Sequence, residues 1–353
     1  MNKISFPHMG NYYIPVKYLL SKTTKQEILV PPKITKKTIE LGSIYSPDYV
    51  CCPFKYNLGN YIEALQQGAT ILLQAGGGCR YGYYAELQEQ ILRDLNYEFQ
   101  FVNLINDNHI SIKKFYKFVK TQNKKINIFS FSYYLLNTIL ILITIDKIEQ
   151  YIRENKGFEV IKNSFNDLYK ELLNKLQEKL SLIKIIKIKR TYLKKFKQLE
   201  INKPENHLKV GLIGELYSLM EPNSSNYIEE KLIEKHIEVT RQTTLTYLLI
   251  TKRFKLKRHI RKTKEYLKYH LGADGTESVY LSNKFAKEKY DGIVHIKSFG
   301  CTPEINAMSI MSKISEYEQI PIIYFSFDSQ DSEVAVNTRI EAFYDMIKTK
   351  KEN

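Results

Sequence analysis

Short apolar runs alternate with amphipathic stretches over the first hundred residues of the chain. The apolar runs at 26–32 and 70–78 end at proline or glycine, which is typical of buried strands. Between them, Ile62 and Leu65 share one helical face before Gly68 ends the helix. An alternation of strands and helices predicts a parallel sheet covered by helices.

The same alternation returns near residue 206. Apolar runs at 207–219, 290–301 and 320–328 predict further strands, whereas the part from 108 to 205 is helical without convincing strands. We therefore expect an α/β protein with two Rossmann-like (flavodoxin-like) parallel-sheet domains and a helical insertion between them. The predicted domains are 1–107 with Cys51 and Cys79, the helical region 108–205, and 206–353 with Cys301.

Residues 126–145 form an uncharged segment of 20 residues, which is about the length of a membrane span. The segment nevertheless contains polar residues, among them Asn127, Asn137 and Thr144. A single span here would also separate the cysteines across the membrane. We expect a buried core helix and no membrane association.

A formal charge of +15 raises nucleic acid or an anionic membrane as partners. Much of the excess lies at helical spacing among apolar residues, as at 182–199, and no recognition motif accompanies it. Solvated lysine-rich helix faces therefore explain the charge better than a nucleic-acid footprint. The densest cluster, 251–264, could instead meet an acidic partner protein or a CoA phosphate.

Three cysteines stand in unusual frames, Cys51 before proline and lysine, Cys79 after a glycine run, and Cys301 before Thr-Pro-Glu. Thiolates in such tight turns can accept hydrogen bonds from backbone N–H groups. Three of these thiolates could bind three irons of a [4Fe-4S] cluster and leave the fourth iron without a protein ligand. The spacing alone favours buried free cysteines, because it contains no ferredoxin run and no paired Cys-x-x-Cys zinc signature. Cys52 fits that description, although it could replace Cys51 as a ligand. Four cysteines and no hydrophobic leader segment favour the cytoplasm.

The segments 46–99, 210–232, 291–314, 320–328 and 337–347 resemble the 2-hydroxyacyl-CoA dehydratase family, including its activase-related and 2-hydroxyglutaryl-CoA dehydratase D-component-like members. The family motif Cys-x-Pro-x-Lys places the ligand on Cys51 and leaves Cys52 at the variable position. The second motif commonly reads Gly-Pro-Cys-Arg, and here Gly78 precedes Cys79.

This resemblance implies a [4Fe-4S] cluster on Cys51, Cys79 and Cys301, with a double-cubane variant also compatible. It further implies an ATP-hydrolysing iron–sulfur activase as electron donor, since the chain has no phosphate loop of its own. The activity would be a dehydratase-like lyase or ATP-coupled reductase acting on an acyl-CoA or other small molecule, in a homodimer or heterodimer. The alternatives are a non-catalytic electron-transfer or cluster-assembly subunit, and a structural or nucleic-acid-binding protein with incidental cysteines.

The sequence does not identify a general acid or base. Lys55, Arg80 and Glu215 are the candidate catalytic residues. Lys55 and Arg80 follow cysteines closely, where a cation lowers a thiol pKa, although Lys55 could be solvated and Arg80 could pair with Glu86. Glu215 and Glu304 stand at predicted strand ends. Glu304 also begins a helix after a proline, where the helix dipole alone favours an acidic residue.

Overall fold

The chain forms two compact units, Met1–Leu140 and Ile141–Asn353. A computed structural model describes residues 2–76, 79–106, 109–329 and 332–352. Helix α6 (Ile128–Asn155) begins in the first unit and ends in the second.

The first unit contains a parallel sheet with the strand order β2-β1-β3-β4. Its strands are β1 (Lys3–Ser5), β2 (Glu27–Ile28), β3 (Ile71–Gln74) and β4 (Gln100–Asn103), followed by a small hairpin of β5 (Ile105–Asn106) and β6 (His109–Ile110). Its helices are α1 (Tyr13–Thr24), α2 (Lys36–Tyr45), α3 (Cys52–Gln66), α4 (Tyr84–Asp94) and α5 (Ile112–Gln122).

Both faces of this first sheet are buried, as the continuous apolar run in β3 predicts. Ile71 and Leu73 point into one hydrophobic cluster with Ile4 and Phe131, whereas Leu72 points into the opposite cluster. The alternation follows from the two-residue period of a strand. The first sheet is therefore the middle layer of its unit.

Helices α2 and α3 pack with their backbones in direct contact through two glycines. A Cβ atom on Gly42 would lie 1.8 Å from the Lys55 carbonyl oxygen, and one on Gly59 would lie 1.9 Å from that of Thr38. The close packing buries nearly every residue of α3. This helix carries Cys51 at its start.

The second unit contains another parallel sheet, with the strand order β10-β9-β7-β8. Its strands are β7 (Leu208–Gly214), β8 (Ile237–Thr240), β9 (Gly292–Ser298) and β10 (Ile322–Phe327). Its helices are α7 (Ser164–Lys175), α8 (Leu182–Lys197), α9 (Leu216–Met220), α10 (Ile228–Glu234), α11 (Lys252–Lys262), α12 (Gly275–Lys287), α13 (Thr302–Tyr317) and α14 (Glu333–Glu352). A π-helical turn, Tyr247–Thr251, leads into α11.

Numbered within its own unit, each sheet has the same order, 2-1-3-4. This is the order of the first four strands of flavodoxin-like sheets, which bind ligands beyond the carboxyl ends of the first and third strands. The prediction of an α/β protein with two parallel sheets is confirmed. The helical insertion at 108–205 stays a prediction; α5, α6, α7 and α8 lie within that part of the chain.

Within the described residues, α6 is the one helix long and apolar enough to cross a membrane. Its most apolar window has a mean hydropathy of 1.9, and 39% of that window is buried inside the protein. Two of its buried polar side chains form hydrogen bonds within the protein: the Asn137 amide donates to the Tyr18 hydroxyl at 2.9 Å, and the Asp146 carboxylate accepts from the Thr246 backbone N–H at 3.0 Å. One such helix is compatible with a soluble protein.

Candidate functional site

The three cysteines predicted as cluster ligands all occupy helix N-cap positions. Cys51 caps α3, Cys301 caps α13, and Cys79 caps the 3-10 turn Arg80–Tyr83. In α3 and α13 a proline follows two residues after the cysteine, where its missing N–H costs nothing and its fixed φ favours the first turn. An N-cap places the sulfur beside the unpaired N–H groups and the positive end of a helix dipole.

Cys79 lies just beyond strand β3, and its turn is shaped by Tyr81. The Cys79 sulfur accepts a hydrogen bond from the Tyr81 backbone N–H at 3.4 Å. A Cβ atom on Gly76 would lie 2.3 Å from the Tyr81 ring, so the ring requires a glycine there. Gly77 and Gly78 lie outside the described residues. Gly78 is the position at which the sequence departs from the second motif of the family that it resembles.

Cys51 contacts a second tyrosine of the same region. The Cys51 sulfur lies 3.1 Å from the Tyr84 hydroxyl, and the ring of Tyr84 is 5.6 Å from that of Tyr81. Burial first, and then the nearby Cys51, raise the pKa of Tyr84, so its hydroxyl keeps its proton and can donate to sulfur. The two tyrosines thus bring Cys51 and the Cys79 turn to one region of the first unit.

The residues adjacent to these cysteines differ in burial. Cys52 is buried, in line with its interpretation as a small core side chain. Lys55 is also buried, so the alternative of a solvated lysine is wrong. Arg80 is exposed, and its positive charge lowers the pKa of Tyr84 against the larger effect of burial.

In the second unit, Glu215 follows β7 and Cys301 follows β9, which are the first and third strands of that sheet. Cys301 therefore has the same place in its sheet as Cys79 has in the first. Gly214 ends β7 with a φ of 134°, and a Cβ atom there would lie 1.8 Å from the Ile296 carbonyl oxygen. The bend that presents Glu215 consequently depends on glycine.

Glu215 caps the short helix α9. Its carboxylate accepts from the Tyr217 and Ser218 backbone N–H groups at 2.8 and 3.1 Å, and from the Ser218 hydroxyl at 2.7 Å. Burial raises the pKa of Glu215 to about 7, because it outweighs these hydrogen bonds, and Asp274 adds to the rise. A carboxyl group that titrates near neutrality can give or take a proton at physiological pH.

Cys301 lies among acidic groups. Burial raises the pKa of its thiol, Glu215 and Glu304 raise it further, and the Glu304 backbone N–H opposes the rise. The free thiol therefore keeps its proton at neutral pH. A bound metal cation would reverse this balance, because coordination deprotonates a thiol outright.

Glu304 is in the first turn of α13, as the sequence predicts, but it is fully buried. Its carboxylate lies 2.7 Å from His295 Nε2 and accepts from the Ser278 hydroxyl at 3.1 Å. The helix dipole alone therefore does not account for Glu304. His295 is a strand residue with no local motif, so nothing in the sequence pairs it with Glu304.

Sequence reasoning missed a buried ionic cluster beside Glu215. The Lys252 ammonium donates to Asp274 Oδ1 at 2.7 Å and lies 3.6 Å from Glu277 Oε2. Asp274 Oδ2 accepts from the Leu216 backbone N–H at 3.2 Å, immediately after Glu215. The only local sequence signal for this cluster is the pair of acidic residues at the start of α12, within 273–277. That pair predicts a helix N-terminus, but it does not show that Lys252 lies beside it.

Among the described residues, no group of three or more His, Cys, Asp or Glu side chains is arranged to hold a metal ion. The donor chemistry nonetheless suits iron, because the three thiols lie at helix N-termini and are neither fully buried nor fully exposed. No protein-family model matches the chain, and no protein of curated function is significantly similar to it.

Proposed function

We propose that this protein is an iron–sulfur protein whose [4Fe-4S] cluster is held by Cys51, Cys79 and Cys301. It accepts an electron from an ATP-hydrolysing activase and serves reductive or dehydration chemistry on an acyl-CoA or another small molecule. The observation that carries the proposal is the N-cap position shared by all three cysteines. The family resemblance of the Cys-x-Pro frames supports the same assignment.

The cluster would supply a low-potential electron. The protein would supply hydrogen bonds to its sulfur ligands and a group that exchanges protons. The Tyr81 N–H and the Tyr84 hydroxyl are placed to donate to the sulfurs of Cys79 and Cys51. Glu215, which titrates near neutrality, would exchange the proton that accompanies reduction. We also propose that each sheet belongs to a Rossmann-like domain and that the protein is cytoplasmic.

The test is anaerobic purification followed by iron analysis and electron paramagnetic resonance. Wild-type protein should hold about four irons per chain, as one cubane cluster requires. Cys51→Ser, Cys79→Ser and Cys301→Ser should each lose most of the iron, whereas Cys52→Ser, the adjacent control, should keep it. Colourless wild-type protein with no bound iron after reconstitution would reject the proposal.

Substrate binding separates the catalytic interpretation from a purely electron-transferring one. Isothermal titration of the reconstituted protein with a short-chain acyl-CoA should show saturable binding if the protein acts on CoA thioesters. A reconstituted protein that binds no CoA ester would instead act on another small molecule or only transfer electrons.

A further inference from the structure

Helix α11 and the turn after it present a dense band of exposed cations. The exposed residues of this band, called the basic face below, are Lys255, Lys257, Arg258, Arg261, Lys262, Lys264 and Lys268. Glu265 is the one exposed acidic residue from 254 to 268. The residues from 254 to 268 thus carry seven cations and one acidic side chain.

None of these cations forms an ion pair within the part of the chain that the structure describes. Helix α8 is similarly rich in cations; there Lys184 pairs with Glu178 at 3.1 Å and Lys195 with Glu171 at 2.9 Å, whereas the exposed Lys187, Arg190 and Lys194 form no ion pair among the described residues. The basic face differs from α8 in that every one of its cations lacks an ion pair among the described residues. The Lys255 ammonium lies 5.7 Å from the centroid of the Tyr247 ring, and the side chains of the basic face are exposed to solvent.

Repulsion between these like charges destabilises helix α11. Lys257 and Arg261, like Arg258 and Lys262, stand four residues apart, where like charges destabilise a helix. The inner side of α11 offsets this repulsion: the buried His259 stacks on Tyr280 with the ring centroids 3.9 Å apart. The orientation of the basic face is thus set by packing beneath it.

Phe254 stands among these cations with 83% of its surface exposed. An isolated phosphate would engage only a few of the charges and would leave Phe254 in water. A protein surface that combines carboxylates with an apolar pocket would neutralise the charges and bury the ring, which is the usual composition of an interface anchor.

We propose that the basic face and Phe254 form a docking surface for an acidic protein partner. The inner side of α11 connects this surface to Glu215, because Lys252 pairs with Asp274 and Asp274 holds the Leu216 backbone N–H. A partner docked on α11 therefore contacts a helix that is tied to the turn carrying Glu215. The proposal does not depend on the cluster and is tested on the full-length chain without metal.

The probe is a fluorescently labelled random copolymer of glutamate and tyrosine, with binding followed by anisotropy at low salt. The triple variant Lys257→Glu, Arg258→Glu, Lys262→Glu should weaken binding by at least about tenfold, since complementary charge dominates such association. The control variant carries the same charge change on exposed positions of α8, namely Lys187→Glu, Arg190→Glu and Lys194→Glu, and should lose clearly less affinity. Phe254→Ala should weaken binding of the copolymer but not of polyglutamate.

Equal losses in the two triple variants would overturn the proposal, because they would show general charge attraction without a defined surface. Tighter binding of single-stranded DNA than of the copolymer, with the DNA also sensitive to Phe254→Ala, would instead assign the surface to nucleic acid. Circular dichroism checks folding; if the charge reversals unfold the protein, Lys257→Gln, Arg258→Gln, Lys262→Gln and the matching α8 set carry the same comparison.

Discussion

Three glutamates of the second unit have carboxyl groups that titrate near neutrality. Burial raises the pKa values of Glu215, Glu230 and Glu277 to about 7 in each case. Glu229 adds to the rise at Glu230, whereas the Lys252 ammonium opposes it at Glu277. The folded protein therefore holds protons on these groups that the unfolded chain releases at lower pH.

Glu230 offers the clearest pH test, because its Oε2 atom is buried without a hydrogen-bond partner. A raised folded-state pKa gives stability that is present below the unfolded pKa and is lost as pH rises through the window up to about 7. We expect Glu230→Gln to match wild type at pH 5 and to be about 1–3 kcal/mol more stable at pH 8 by denaturant unfolding.

Glu234→Gln, an exposed change on the same helix, is the control and should leave the pH dependence of unfolding unchanged. A Glu230→Gln variant that is less stable than wild type at pH 8 would mean that the carboxylate is stabilised in the folded protein.

The Tyr84 hydroxyl should set the reduction potential of the reconstituted protein. Hydrogen bonds to cluster sulfurs raise the potential, so Tyr84→Phe should lower it by on the order of tens of millivolts while iron content stays unchanged. Tyr83→Phe is the matched control, because Tyr83 is 73% exposed. Redox titration followed by electron paramagnetic resonance measures both, and identical potentials would exclude a bond from Tyr84 to the cluster.

At the scale of single elements, the contact between α2 and α3 determines how α3 presents Cys51. Gly42→Ala would force a methyl group against the Lys55 carbonyl, which only a shift of one helix can relieve. We expect a loss of about 1–3 kcal/mol or more in the free energy of unfolding. The control, Lys37→Ala on the exposed side of α2, should change it by less than about 0.5 kcal/mol in the same urea titration.

Helix α6 can be tested with two phenylalanines two positions apart. Phe131 is buried against Tyr116, with the ring centroids 5.0 Å apart, whereas Phe129 is 83% exposed. Phe131→Ala should therefore cost about 3–5 kcal/mol and Phe129→Ala little. The same preparations should remain in the supernatant after ultracentrifugation without detergent; recovery in the membrane pellet would contradict the core-helix interpretation.

The sequence alone predicts those helices and strands whose hydrophobic pattern lies within the element itself. The apolar run through Leu72 identifies strand β3, and the shared face of Ile62 and Leu65, followed by Gly68, identifies helix α3 and its end. Long-range partners have no such signal: Lys252 meets Asp274 across 22 residues, and Gly42 meets the carbonyl of Lys55 on another helix. Patterns along the chain report which face of an element is buried, not which residue of another element lies against it.

At the scale of the whole molecule, the proposed activase can be tested directly, because the sequence shows no phosphate-loop motif of its own. Reduction of the reconstituted protein by dithionite or flavodoxin alone should be slow or incomplete. Added activase and MgATP should make it efficient, as followed by electron paramagnetic resonance under argon. Complete reduction at the same rate without activase or nucleotide would favour a simple electron carrier.

The common strand order of the two sheets bears on the ancestry of the chain. Both four-stranded parallel sheets have the order 2-1-3-4, and in each unit a cysteine follows the third strand. Duplication of a single ancestral α/β unit would leave this arrangement. Cys79 and Cys301 would then descend from one residue, and Cys51 and Cys52 would be additions specific to the first copy. On this history, the first copy acquired two further thiols after the duplication, whereas the second copy kept a single thiol beside Glu215.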